Sequence, residues 1–258
     1  MIDGDAVLAA TQLDLFWLSE HVKRLDRPDV LALSDGTTRE LHNQVIRTST
    51  PPEALPALIE EIQRFHTGVS QWLVVPPFLG PELERELPRY GYAPRFEGDA
   101  WTLPSSTRFS EGDVEVVEVH DRATLQDNLR MCGVAFGRTV EGMDLDHELA
   151  LCTGGDRRTA RFVAYLDGEP VGSGNLNRFD ACGLTPGSEA SFGFLWAGGV
   201  APDHRGRGIY RALLGARCRW AEREGLGHVG LYANRKTSGP VVRGLGFQKH
   251  GPMAYWVR

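Results

Sequence analysis

Residues 200–211 read Val-Ala-Pro-Asp-His-Arg-Gly-Arg-Gly-Ile-Tyr-Arg, between an apolar run and an amphipathic helical pattern. Gly206 and Gly208 permit backbone conformations closed to other residues and let main chain approach a ligand closely. A helix starting near Gly208 leaves about four N–H groups of its first turn unpaired. Turn and helix end together make a diphosphate cradle. The helix dipole contributes only about 0.3–1 kcal/mol when exposed, so several converging N–H donors must supply most of the affinity. Arg205, Arg207 and Arg211 add charge of the right sign. Pro202 removes a donor and ends the strand. The turn lacks the Gly-Lys-Ser/Thr ending of a nucleoside-triphosphate loop and the Gly-x-Gly-x-x-Gly of a dinucleotide fold. On the glycines alone, a tight turn without a ligand stays open.

The elements that must position this turn follow from apolar periodicity. Ser191–Val200 is a strand leading in, and about Gly208 to Glu224 is a helix with its stripe at Ile209, Leu213, Ala216 and Trp220. Gly225 sits where a helix C-cap belongs. His228–Ala233 is the next strand, Pro240–Leu245 a short helix and Phe247–Val257 a last strand. Upstream, Val114–Val119, Arg161–Leu166 and Val171–Asn177 read as strands, the last two joined by a tight turn at Asp167-Gly168-Glu169. Ala123–Phe136 and Asp144–Cys152 read as helices. The class is α/β, a mixed sheet with one βαβ crossover.

Residues 1–100 hold 6 of the 30 glycines, and residues 101–258 hold the other 24. Leu103–Thr107, with Pro104, reads as a linker, so we expect domains at 1–105 and 106–258. The first part has a shorter version of the same ending. Glu40–Arg47 is strand-like, Pro51–Phe65 a helix carrying Leu55, Leu58, Ile59 and Ile62, Gln71–Val75 a strand, Glu82–Tyr90 a helix and Ala93–Thr102 a strand. Gly91-Tyr92 precedes Ala100-Trp101 much as Gly246-Phe247 precedes Ala254-Tyr255. These recurrences point to a divergent internal repeat.

Composition narrows the function. The 258 residues are 41% hydrophobic, which excludes a wholly disordered chain, and 24% charged. Net charge is −6, against a dedicated nucleic-acid binder. No run approaches the ~18 apolar residues of a membrane span, and the start, Met1-Ile2-Asp3-Gly4-Asp5, is acidic where a secretory signal is basic. Cys132, Cys152, Cys182 and Cys218 have no metal or redox spacing and read as core residues. The expected location is cytoplasmic, with no nucleic-acid or membrane partner; a homodimer is compatible.

Val-x-Pro-x-x-Arg-Gly-x-Gly leading into an Ala/Leu-rich helix resembles the acyl-CoA-binding motif of the GCN5-related N-acetyltransferases (GNAT). Asn234…Thr237-Ser238…Leu245-Gly246-Phe247 is similar to the family's second motif. The resemblance covers about 110–258 in element order and 196–247 in motif detail. It implies the GNAT acyl-CoA N-acyltransferase fold, acetyl-CoA as co-substrate, and a bulge at Gly198-Gly199 where two strands splay. It implies that the main chain of Gly199 and Val200 pairs with the pantetheine arm. The amides from Arg205 through Gly206, Arg207, Gly208, Ile209 and Tyr210 to Arg211 would hold the diphosphate, and Asn234 would contact the cofactor. Tyr210 replaces the usual Gly or Ala, and its side chain is expected to turn away from the diphosphate. The family's Tyr before the Gly-Phe pair, general acid for the thiolate, is absent; Val241-Val242-Arg243 stands there.

An amine of pKa near 10.4 is only about one part in 10³ neutral at pH 7, so attack on a thioester costs on the order of 4–5 kcal/mol without a base or a lowered pKa. A thiol of pKa about 8.5 leaves tolerably unprotonated. Glu189, near the start of the strand that reaches the cradle, is the candidate base, and Tyr232 the candidate acid. His204 reads as a solvated turn residue, and Asp146-His147-Glu148 as a surface helix without zinc spacing. No metal is expected. Phe194 and Trp196 share a strand face, as core or as a wall of an acceptor pocket. In the first part the counterpart of the glycine turn is Thr48-Ser49-Thr50-Pro51-Pro52-Glu53-Ala54-Leu55, without glycine or arginine and with a carboxylate that repels phosphate. The N-terminal half thus reads as a smaller, degenerate GNAT-like α/β domain that covers the catalytic half; tandem members with one silent half are known, mycothiol synthase-like proteins among them. The expected activity is acetyl transfer from acetyl-CoA to a primary amine of a small molecule, directly within a ternary complex. The rivals are a catalytically silent CoA-binding sensor or regulatory module, an O-acyltransferase, and a structural partner whose turn binds nothing.

Overall fold

The computed structural model describes all residues except 1, 38–39, 111, 138–142 and 188, and, at 41, the backbone without the side chain. The chain packs as two compact units, Met1–Trp101 with Tyr232–Arg258, and Thr102–Leu231. The last segment of the chain thus belongs with the first, which the reading as domains 1–105 and 106–258 did not include.

The first unit contains helix α1 (Gly4–Thr11), strands β1 (Lys23–Arg27), β2 (Val30–Ser34) and β3 (Gln44–Thr48), helix α2 (Leu55–Phe65), strand β4 (Gln71–Val74) and helix α3 (Gly80–Glu86). Strand β5 (Ala93–Pro104) follows, and the C-terminal segment adds the end of β10 (His228–Asn234), helix α7 (Ser238–Gly244) and β11 (Gln248–Val257). Strand order is β1-β2-β3-β4-β11-β5. β3 and β4 are parallel, while β11 pairs antiparallel with β4 through Ala254↔Val74 and Trp256↔Trp72. α2 buries the expected Leu55, Leu58, Ile59 and Ile62 against Val30, Ala32, Val45 and Trp72. Leu31, Leu33 and Ile46 pack on Leu15, Leu18 and Val22. Because β2 is buried on both faces it shows no alternation, and the β1/β2 hairpin, like α1, escaped the periodicity reading. Glu40–His42, expected as the start of a strand, is a 3-10 turn before β3. Gly91 and Gly246 both take φ near +85°, at +83° and +89°, just before β5 and β11.

His66 closes α2 and is 3% exposed. Its ring nitrogens meet Leu33 O and Ser70 Oγ, each at 2.8 Å. Burial pushes its pKa down, against a smaller rise from the Leu33 carbonyl bond, from 6.5 to about 4. The unfolded chain therefore takes up this proton first as pH falls. The group's contribution is complete above pH 6.5 and is lost toward pH 4, by about 1.4 kcal/mol per pH unit. Between pH 7 and 5 the urea-unfolding free energy of the wild type should fall about 2 kcal/mol more than that of His66→Gln; equal losses would refute the assignment.

The second unit contains β6 (Glu115–Glu118), α4 (Arg122–Phe136), α5 (Leu145–Thr153), β7 (Thr159–Leu166), β8 (Glu169–Cys182), β9 (Ala190–Val200), α6 (Ile209–Arg223) and the start of β10. Strand order is β10-β9-β8-β7-β6, antiparallel except for the parallel β9/β10 pair. α6 buries Ile209, Leu213, Ala216 and Trp220 as expected. Gly172 and Gly174 of β8 face α6, since a Cβ on either would touch its side chains. Alternation puts Ser173 and Asn175 on the other face, where α4 lies. Val119, Leu125, Leu129, Cys152 and Val163 close the core there. All four cysteines are free; three are buried and Cys132 is half-buried.

Candidate active site

β9 delivers the chain to the glycine turn, and three local features shape its end. First, the β9/β10 ladder runs from His228↔Phe192 to Gly230↔Phe194, while β9 continues to Val200. From Leu195 onward that edge of β9 has no ladder with β10 among the described residues. Second, the β8/β9 register steps from Asn175↔Trp196 to Ser173↔Gly199, so Ala197 and Gly198 both stand opposite Gly174. The bulge expected at Gly198-Gly199 thus lies one residue earlier, with Ala197 at φ +47°. Cross-strand register sets that position, and two adjacent glycines in a sequence do not reveal it. Third, a 3-10 turn at Pro202–His204 is tied back by His204 N–H to Ala201 O at 2.9 Å.

Gly206 and Gly208 take φ +77° and +81°, the left-handed region that favours glycine. A Cβ on either would meet nothing within 4 Å. The dihedral therefore demands glycine, and the space beside it is open. Gly208 caps α6 without a side-chain bond, and no acidic residue sits in the first turn. The first helical bond is Ala212 N–H to Gly208 O at 3.1 Å. The amides of Gly206, Arg207, Gly208, Ile209, Tyr210 and Arg211 donate to no protein acceptor among the described residues. Arg205, Arg207 and Arg211 are exposed around them. Arg205 Nε donates to Val200 O at 3.3 Å, and Arg207 Nη1 stands 3.5 Å from His204 Nδ1. This donor set fits a diphosphate.

Tyr210 is half-buried, with its ring against Gly198 and under the Arg217 guanidinium, 5.6 Å from ring centroid to Cζ. Ile209 is buried against the sheet. Gly199 faces α4, where a Cβ would lie 2.5 Å from that of Ala135. The cradle residues Gly199 to Arg211 are thus together in the second unit.

Glu189 is not beside them. It precedes β9 at the opposite end, exposed, with a carboxylate oxygen accepting Gly187 N–H at 2.7 Å. Extended chain from there to Ala197 spans about 26 Å at ~3.3 Å per residue. Tyr232 and Asn234 belong to the first unit. Tyr232 is half-buried on β10, and Asn234 Oδ1 accepts from Lys236 N, Thr237 N and Thr237 Oγ1 at the start of α7.

Next to the bulge, on the α4 face, sequence reasoning missed a buried polar row. Arg161, Asn175 and Trp196 are register partners across β7, β8 and β9. Asn128 of α4 donates to Asn175 Oδ1 at 3.0 Å and accepts from Arg161 at 3.4 Å. The Arg161 guanidinium stacks over Trp196 at 4.8 Å and is ion-paired to Glu148 of α5. Glu148, expected on a surface helix, is therefore an interior counter-charge. Trp196 is half-buried and donates to Asn177 Oδ1 at 3.0 Å. Cys132 Sγ lies 3.3 Å from Ser173 Oγ; burial raises its thiol pKa, against lesser pulls from Ser173 and Arg161, and keeps it protonated. Arginines on strands read as solvent-facing, so only a helix known to lie above them would have exposed this row.

In the first unit, donor atoms of His21, Asp35 and His42 lie within 4.8 Å of one another. Burial pushes Asp35 up, but bonds from Thr37, His42 and Asn43 outweigh it and hold the carboxyl at about 2. Both oxygens are already engaged by protein donors.

The strand end beyond its ladder, the glycine turn and the bare helix start lie together in the second unit, and comparison with known proteins bears on the same segment. The model of the Acetyltransferase (GNAT) family matches residues 127–247. That segment is a GNAT acetyltransferase domain, and its class of chemistry is acyl transfer. Over the whole chain, the fold is similar to a GCN5-related N-acetyltransferase from Kribbella flavida, at 14% identity and TM-score 0.68, covering 99% of this chain and 96% of that one. It is also similar to a functionally unknown conserved protein from Staphylococcus epidermidis, at 14% identity and TM-score 0.65, covering 96% and 98%. A GCN5-related N-acetyltransferase from Sphaerobacter thermophilus aligns at 17% identity and TM-score 0.59, covering 92% and 75%. Whole-chain matches agree with a second, N-terminal GNAT-like half. No curated protein sequence matches the chain. Among the described residues no helix is long and apolar enough to cross a membrane.

Proposed function

We propose that this chain is an acetyl-CoA-dependent N-acetyltransferase that acts on a primary amine of a small molecule by direct transfer. The observation that carries the reading is the row of six amides from Gly206 to Arg211 that find no acceptor among the described residues, beside a β9 edge without a ladder partner among them. The amides and the three arginines would hold the diphosphate, and the main chain of Gly199 and Val200 would pair with the pantetheine arm. Acetyl-CoA supplies an activated thioester; the protein's part is to hold it and the amine in line and to stabilise the tetrahedral oxygen with backbone N–H. The protonated Cys132 favours direct attack over an acyl-enzyme. Tyr232 stays the candidate acid. Glu189, at the far end of β9, would not touch an amine held at the bulge. The N-terminal residues 1–105 would be the silent half.

Steady-state kinetics with acetyl-CoA and a panel of primary amines test this. Intersecting double-reciprocal lines are expected, with one thiol released per N-acetylated product. CoA binding without amine-dependent thiol release would leave the sensor reading. A base-labile product would show an ester and an O-acyltransferase.

A further inference from the structure

Arg217, in the third turn of α6, is 1% exposed. Its Nε donates to Leu213 O at 3.1 Å, and its Nη2 has no hydrogen-bond partner. Among the described residues no carboxylate comes within ion-pair range of it. Two glycines on neighbouring strands make room for it. A Cβ on Gly174 would lie 2.9 Å from the guanidinium carbon, and one on Gly198 3.1 Å from Nη1. A Met or Leu would fill such a place in an apolar helix face without burying an uncompensated charge. The location is specific. Gly174 and Gly198 are the two sides of the bulge, just past the point where the β9/β10 ladder ends.

We propose that Arg217 is the counter-charge for the sulfur that leaves during acyl transfer. This rests on the acetyl-CoA reading above. The β9 edge assigned to the arm lies at Gly199 and Val200, and the guanidinium stands against the adjoining Gly198. In the step served, the amine nitrogen bonds to the acyl carbon and the carbon–sulfur bond breaks. The sulfur first keeps that electron pair as a thiolate, before any proton reaches it from the candidate acid, and the ammonium proton passes to water. Arg217 transfers no atom. It supplies the stabilisation that the Val241-Val242-Arg243 stretch, without the family's tyrosine, does not. The titratable groups beside it are Tyr210 and Cys218 on its own helix; burial pushes the Cys218 thiol up to about 11, against a smaller pull from Arg217. From β8 and β9, Gly174 and Gly198 face it.

The test titrates the thiol of bound coenzyme A by thiolate absorbance, with protein plus S-methyl coenzyme A as the blank. Calorimetry on the same samples confirms occupancy. A free thiol titrates near 8.5. On the wild type the bound thiol should titrate at least one pH unit lower, a tenfold gain in thiolate at neutral pH. Arg217→Met should still bind coenzyme A but return the thiol to its free value, and Arg217→Lys should fall between. Bound coenzyme A with an unshifted thiol, or the same shift in Arg217→Met, overturns this proposal alone. No calorimetric binding overturns the acetyl-CoA reading and this proposal with it. If Arg217→Met does not fold, the wild-type titration and Arg217→Lys decide.

Discussion

Gly208→Glu abolishes acetyl-CoA binding while the protein stays folded: that is the expected result of calorimetric titration beside the wild type. Gly208 sits at φ +81°, where a residue with a Cβ pays roughly 1–2 kcal/mol. Relief of that strain rotates the first amides of α6 away from their common focus. The new carboxylate also lies among those amides, where it competes with phosphate and repels it. At about 1.4 kcal/mol per tenfold, the two effects together should weaken binding at least ~100-fold relative to the wild type. The fold should persist, because the added side chain enters space with no protein atom within 4 Å of its Cβ. A drop in Tm of a few degrees is the expected cost of the strain. Gly208→Ala carries the strain without the charge and should lose about tenfold. Unchanged binding in Gly208→Glu would remove the diphosphate from this turn.

Glu148→Gln should be the most destabilising conservative substitution in the second unit. The Arg161 side chain is 4% exposed, and Glu148 is its counter-ion. Trp196 covers the guanidinium, Nη1 donates to Asn128 Oδ1, and Nε has no hydrogen-bond partner. Removing the carboxylate charge leaves a buried cation, at a cost of about 3–5 kcal/mol. For a unit of this size that is a loss of roughly 10 °C or more in Tm. The double variant Glu148→Leu with Arg161→Met should recover most of it, since an apolar pair of similar volume needs no compensation. Thermal and urea unfolding of the single and double variants give the coupling energy. A loss under 1 kcal/mol for Glu148→Gln would mean that water reaches Arg161.

What these two experiments probe was not equally legible in the sequence. The cradle was, because it is local. Twelve consecutive residues contain the strand end, the two positions that need positive φ and the start of the helix. Each is dictated by dihedral preference and by the pairing demands of a helix end. The apolar stripe of α6 was legible for the same reason, since the 3.6-residue repeat acts within one element. Glu148 and Arg217 were not. A carboxylate in a polar helix turn and an arginine within an apolar one look alike whether they face water or the interior. Only the register of β7, β8 and β9, and the helices laid on their two faces, decides. The bulge moved to Ala197 because Gly174 lies across from it, a partner 23 positions away in the chain. Likewise β11 was readable as a strand, but its place between β4 and β5 was not. Strand pairing is fixed by which hydrophobic faces can close together, and that is a property of the assembled sheet, not of any segment.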